Sequence, residues 1–556
     1  MKGKLYILVV VLLSLLVVFA FANATGNIKY GGVVKFVEPQ GPLTFNLNPF
    51  SPVGLPTAGI IYEPLFAINF LNGDVTPMLG TSYQWTNNNC DLIVKTRENV
   101  KWSDGTPFTA KDVAFTFNYI KQYPALDTGG QWASLNYLQS VEASGDNTVI
   151  FKFSKPNVAD FYSLSQQIII PQHIWSNISD PTKYLNTDPV GTGPFLFKSF
   201  SSANGIVTYV KNPHYWMSGK PYIDGFEWRS IESNSTGLLM MLKGEADWAW
   251  ISVPNPLSTW VSKSPDNEFF SPQVAYNYLF LNTQKSPLNN PIFRKAIALA
   301  IDKENINKKV YYNIAGIANS TGIIPSQQKE WLDPTLQTLS SSLSIYNPDE
   351  AIKLLESIGY KKDPSTGMFL NPDGKPMTPL QIIVAAGYTD YITASQLISY
   401  DLQKIGIPTI VQQESPGAWY SSLLTGQYDM SFTWTGSTLG PTPYYMYYHL
   451  FAPQFSAPIG QAAMSNWSRY TNPLIDAALG VYTSTTDLHL QKQAIYTIER
   501  IVLDDMPIIP LVGAPMWNFY STRQFTGWPT EENDYDPVSV SNPGLMEQVL
   551  LRVHLK

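Results

Sequence analysis

The sequence predicts a mixed α and β fold of roughly two to four compact lobes, and three observations carry that prediction. Its 556 residues are enough for several lobes, each with its own core. Apolar and polar residues alternate at Thr148-Val149-Ile150-Phe151-Lys152-Phe153, the pattern of a strand with one buried face. Helices elsewhere carry their own start and stop signals. Asn290 stands before Pro291, and Asn347-Pro348-Asp349-Glu350 leads into Ala351, Leu354, Leu355 and Ile358 on one face, with Gly359 as the stop. The chain shows no internal repeat and no low-complexity linker.

From the amino end, Lys2 and Lys4 precede an apolar run from Leu5 to Phe21, and Ala22-Asn23-Ala24 offers small residues at a cleavage spacing before Thr25. Residues 1–24 therefore read as a secretory signal peptide, with an uncleaved anchor as the alternative because the run is long. No cysteine follows that run. The single cysteine is Cys90, so no intrachain disulfide can form and lobe cores must supply the stability. Between Arg97 and Ile120, Ser103-Asp104-Gly105 has turn residues in turn order, and Thr109 is placed to cap a helix carrying Asp112 near its positive end. Val113, Phe117 and Ile120 give that helix one buried face. Further on, Lys404-Ile405-Gly406 closes a helix running from about Thr393.

Composition narrows the partners. Charged residues make up only 14% of the chain and aromatics 13%, with 15 Trp and 32 Tyr. Aromatic faces and amides suit neutral hydroxylated ligands, although adaptation of an exported chain to its medium would give the same balance. A net charge of -7 argues against nucleic acid. Nucleophile elbows, zinc-protease helices, phosphate loops and paired-cysteine motifs do not occur, and His173, His214, His449, His489 and His554 show no metal-ligand spacing. The chain therefore carries no recognisable enzyme chemistry, and no cofactor or metal is expected. An exported hydrolase is the competing class, since a glycosidase carboxylate pair cannot be recognised from sequence alone.

The stretch RENVKWSDGTPFTAKDVAFTFNYI, from Arg97 to Ile120, resembles the segment shared by the family 5 solute-binding proteins of peptide and oligosaccharide ABC importers. Six further stretches are similar to family features in the same order. They are Asn46-Leu47-Asn48-Pro49, Ile61-Tyr62-Glu63-Pro64-Leu65, Gly191-Thr192-Gly193-Pro194-Phe195, Lys243-Gly244-Glu245-Ala246-Asp247, the run from Phe293 to Asp302, and Tyr428-Asp429. The resemblance covers about Tyr30 to Pro510. It implies a two-lobed periplasmic-binding-protein type II fold with an additional inserted domain. The first lobe would comprise residues 25–64, 190–281 and 511–556, the insert residues 65–189 and the second lobe residues 282–510. It also implies an extracytoplasmic monomer that closes on a ligand by hinge bending and presents it to membrane permease subunits.

One departure bears on the ligand. Peptide binders of the family place an Asp in the segment W-x-x-D, where it pairs with the peptide's α-ammonium. Here the segment reads Trp434-Thr435-Gly436-Ser437, so Ser437 stands in the acid's place. A buried ammonium without a counter-charge is costly, which disfavours an oligopeptide. The resemblance, to a family with members that import cello-oligosaccharides, makes a small neutral oligosaccharide of that kind the leading expectation. The resemblance makes Trp434 and Ser437 ligand-side residues, and Trp419 an approximate match to another. Trp248 and Trp250 follow the loop that faces the cleft, and alternation sends one of the two into the core. Tyr276, Asn277 and Tyr278 lie on the strand toward the interlobe crossing, where core or hinge packing is an equal expectation. Trp132 and the row Tyr444, Tyr445, Tyr447 and Tyr448 are weaker candidates.

Overall fold

The computed structural model describes residues 28–39, 43–51, 54–132, 137–434 and 439–556. The signal peptide expected at 1–24 lies outside the described residues. Among the described residues, no helix is long and apolar enough to cross a membrane.

Three sheets organise the chain. Thr148–Phe153 is a strand, as its alternation predicts, with Val149, Phe151 and Phe153 buried. It lies in a four-stranded antiparallel sheet ordered Gly80–Thr86, Asp91–Thr96, Thr148–Phe153, Leu138–Ala143. The helix Ala110–Gln122 covers this sheet, and its Phe117 ring meets Phe151 edge-on at 4.9 Å. Thr109 caps that helix by accepting from the Lys111 N–H at 3.2 Å, while Asp112 accepts from the Thr109 N–H at 2.9 Å and the Gln172 N–H at 3.0 Å. The preceding turn needs Gly105, whose φ is +90°. Val113, Phe117 and Ile120 have no solvent exposure, and each contributes about 1.5–3 kcal/mol of transfer free energy.

The first lobe holds a seven-stranded mixed sheet, ordered Asn267–Phe270, Asn518–Ser521, Trp248–Ala249, Val33–Pro39, Gly225–Ile231, Ile206–Lys211, Phe195–Ser201. Its core is continuous with that of the inserted domain: Phe36, Phe226 and Trp248 belong to the same buried cluster as Trp102, Phe117 and Phe151. The second lobe holds a five-stranded sheet, ordered Thr409–Glu414, Leu380–Ala385, Met430–Thr433, Gln273–Leu281, Ile508–Pro515, with apolar clusters on both faces.

Gln273–Leu281, expected to close the first lobe, is hydrogen-bonded on both sides within this second sheet. Its run of buried residues would suit either sheet, so sequence alone does not say which. The two crossings between the sheets are residues 271–272 and 516–517, held together by the Met516 N–H donating to the Pro272 carbonyl at 3.0 Å. Helix signals translate closely. Asn290 caps Pro291–Ala300 through the Ile292 N–H at 2.9 Å, and Asn347 caps Pro348–Ser357 through the Glu350 N–H at 3.2 Å. The helix that Gly406 ends begins at Thr389, four residues ahead of its expected start, because no side-chain cap marks that end.

Candidate ligand-binding cleft

Strands Leu380–Ala385 and Thr409–Glu414 run parallel, as do Leu380–Ala385 and Met430–Thr433. The chain leaves all three at the same end, into Gly387-Tyr388, Ser415-Pro416 and Trp434 respectively. Crevices outside the carboxyl ends of parallel strands are where α/β folds collect ligands. A cavity of about 940 Å³ opens at this end. The second lobe supplies Tyr388, Asp390 and Tyr391 from the start of the Thr389–Ile405 helix, Trp419 and Tyr420 from Pro416–Thr425, and Trp434 and Trp467 from loops. The first lobe closes the opposite wall with Asn234, Ser235, Ser252 and Pro254, and Trp517 of the crossing completes it.

The wall is aromatic and sparsely charged. Trp419 is held by its indole N–H donating to Ser431 Oγ at 3.2 Å, and Ser431 donates onward to the Ile383 carbonyl at 2.9 Å. Tyr388 leans against Trp419 at 6.2 Å and Tyr391 at 5.9 Å. Trp434 is 37% exposed and Tyr388 45%, so both rings keep open surface beside the cavity. Two wall residues, Trp467 and Tyr311, keep their polar atoms Nε1 and Oη buried behind the surface, with no hydrogen-bond partner among the described residues. Burial pushes the Tyr311 phenol well above its ordinary range, so it stays protonated and able to donate. Among the described residues that line it, charge enters through Lys309 and Asp390. The protein packed around Asp390 raises its carboxyl above the usual range, although the residue itself opens onto the cavity.

The profile of the bacterial extracellular solute-binding proteins, family 5 middle region, matches residues 74–457. The chain belongs to that family. Such a protein is the solute-binding component of an ABC importer, so this cavity sits in a family 5 solute-binding protein. The chain is 25% identical over 485 residues to the glutathione-binding protein GsiB of Shigella flexneri, covering 84% of this chain and 86% of that one. It is 24% identical over 528 residues to the peptide transport periplasmic protein SapA of Salmonella typhimurium, covering 88% of each. Among solved structures, the periplasmic oligopeptide-binding protein of an oligopeptide ABC transporter from Thermotoga maritima is similar at 27% identity and a TM-score of 0.84, covering 94% of this chain and 99% of that one. A mannohexaose-bound structure of that protein matches at 26% identity and a TM-score of 0.76, covering 96% of this chain and all of the other.

In this family 5 protein the expected site residues part company. Trp434 and Trp419 stand on the cavity wall. Ser437 lies outside the described residues. Trp248 does not face the cleft: it is wholly buried in the first lobe, its indole N–H donating to Asn518 Oδ1 at 2.5 Å and its ring 4.5 Å from Phe36. Trp250 packs half-buried beside Val274 and Met516 at the crossings and does not line the cavity. Tyr276, Asn277 and Tyr278 are core residues of the central strand. The Tyr276 hydroxyl donates to the Ile323 carbonyl at 3.1 Å, and Asn277 Nδ2 donates to the Gly513 carbonyl at 3.0 Å. Trp132 packs within the insert, its indole N–H donating to the Phe117 carbonyl at 2.7 Å. Sequence reasoning missed Tyr388, Asp390, Tyr311 and Trp467. The one available signal was Gly387 breaking the chain after a buried strand, which puts the next side chains at a strand's carboxyl end.

Proposed function

We propose that the protein captures a small neutral oligosaccharide, of the cello-oligosaccharide kind, between its two lobes, closes on it by bending at 271–272 and 516–517, and delivers it to the permease. One observation carries this reading: the interlobe cavity is walled by the rings of Tyr388, Tyr391, Trp419, Tyr420, Trp434 and Trp467 and is sparsely charged, a match to a neutral ligand with apolar ring faces. Its support from outside the chain is the mannohexaose bound to a protein 26% identical. In this reading the insert and first lobe form one body, the second lobe the other, and residues 1–24 direct export, so the ligand is met outside the cytoplasm.

A second reading is favoured by Lys309 and Asp390. They bring one cation and one carboxylate to the same wall, and relatives named for glutathione and peptides share most of the chain's length. A zwitterionic peptide could use both. A thermal-shift panel of cello-, manno-, xylo- and malto-oligosaccharides and short peptides separates the two, because a ligand that binds only the folded state raises the midpoint by mass action. Stabilisation by a sugar series and by no peptide is expected. Stabilisation by free-amine peptides alone would replace the oligosaccharide reading with the peptide one.

A further inference from the structure

A second cavity of about 670 Å³ lies where the insert meets both lobes, and it shares no lining residue with the first. Asp160 lines it with only 6% exposure, and the Oδ2 atom has no hydrogen-bond partner among the described residues. Around it stand four tyrosines. Tyr162 and Tyr445 meet at 4.8 Å, Tyr445 and Tyr444 at 5.3 Å and nearly perpendicular, and Tyr444 stacks with Tyr448 at 5.4 Å. The Tyr445 hydroxyl is tied to the Ala159 carbonyl at 2.7 Å, which fixes its ring beside the acid. Neither lysine nor arginine is among the residues lining this cavity. Burial lowers His449, which lines the same cavity, to about 4, leaving it neutral, and the neighbouring charge that acts on Asp160 is that of another acid, Asp127.

A carboxyl buried among aromatic rings, with no lysine or arginine beside it among the described lining residues, is half of a charge pair. We propose that this pocket is a second ligand site, which takes a small organic ammonium compound with its nitrogen against Asp160 and its carbon framework against the tyrosine faces. Aromatic rings present negative faces to a cation, and in a desolvated pocket that attraction adds to the charge-assisted bond. Without the ligand, burial keeps the Asp160 carboxyl well above its ordinary range, so the empty pocket holds a proton that an ammonium would displace. The inference is independent of the sugar reading, since it concerns other residues in another cavity.

Calorimetry of the purified chain with methylammonium, choline and phenethylammonium tests it, alongside dimethylbutanol, the neutral carbon isostere of choline. At least one cation should bind the wild type, with proton release visible as a heat that depends on the buffer. Asp160→Asn should weaken that binding about ten- to hundredfold, the loss expected when a desolvated cation forfeits its counter-charge. Tyr448→Leu should weaken it less. Circular dichroism and the unliganded thermal midpoint show that each variant is folded. Binding of none of the three cations, equal binding by Asp160→Asn, or dimethylbutanol binding as tightly as choline would each overturn the assignment.

Discussion

Gly191→Ala should destabilise the first lobe by more than about 3 kcal/mol, read as a large fall in the denaturation midpoint. A Cβ at Gly191 would stand 1.9 Å from the Ile61 carbonyl oxygen, and one at Gly193 would stand 2.5 Å from that of Ile60. Neither backbone is free to retreat. The Gly193 N–H donates to Ile61 at 2.9 Å and the Phe195 N–H to Ile60 at 3.1 Å, while the Gly191 carbonyl accepts from the Ser103 N–H at 2.9 Å. The Gly191-to-Phe195 turn thus binds the start of the insert, its return and the tryptophan turn into one backbone knot. Gly480→Ala is the matched control. A Cβ there meets nothing within 4 Å, and it lies in the helix Pro473–Ser484, where alanine should stabilise by up to about 1 kcal/mol. A loss below about 1 kcal/mol at Gly191 would contradict this account of the turn.

That turn shows how much the sequence discloses. The motif is visible in five letters, but the reason for its glycines is a carbonyl 130 positions earlier, which only the fold brings near. Local signals translate because their physics is local: Thr109 and Asp112 cap a helix whatever surrounds it, and alternation at Thr148–Phe153 needs only one neighbouring face. The site is less legible. Trp248 and Trp434 are both tryptophans beside motifs, yet one is sealed in a sheet interior and the other emerges past a strand's end. Asp390 is invisible as a cleft residue until the parallel order of Leu380–Ala385, Thr409–Glu414 and Met430–Thr433 is known.

Stability should fall as pH rises from about 5 to 7, and Glu547→Gln should remove part of that fall, stabilising the protein at pH 7 by about 1–3 kcal/mol. Glu63 and Glu547 are both fully buried and share the Tyr215 hydroxyl, which lies 3.0 Å from Glu63 Oε1 and 2.8 Å from Glu547 Oε1. The Trp216 indole N–H also donates to Glu63, at 2.8 Å. Burial raises both carboxyls, and for Glu547 the neighbouring Glu63 charge adds to the rise. Burial also pushes Glu38 and Glu499 up to about 8.

In each case the unfolded carboxyl releases its proton near 4.5 while the folded one keeps it. The native state then binds more protons, and stability drops with rising pH. His449, lowered from 6.5 to about 4, offsets part of this fall between those values, and Lys303 acts the other way at higher pH. Buried without a partner among the described residues, it is lowered to about 7, so between there and 10.5 the unfolded chain binds the extra proton and stability recovers with pH. Thermal midpoints from pH 5 to 9 should therefore fall first and then level. A wild-type midpoint that rises from pH 5 to 7, or a Glu547→Gln variant less stable than wild type at pH 7, would show that these acids are ionised in the native state.

The most direct test of the proposed function is calorimetry of a cello-oligosaccharide against the wild type and Trp434→Ala. The ring is 37% exposed on the cavity wall, and a stacked aromatic contributes about 0.5–1.5 kcal/mol beyond its buried area. Wild-type binding, with affinity clearly weakened in a Trp434→Ala variant of unchanged thermal midpoint, is the predicted result. A wild type that binds free-amine peptides and no sugar, or a variant that binds the sugar as tightly as the wild type, would contradict it.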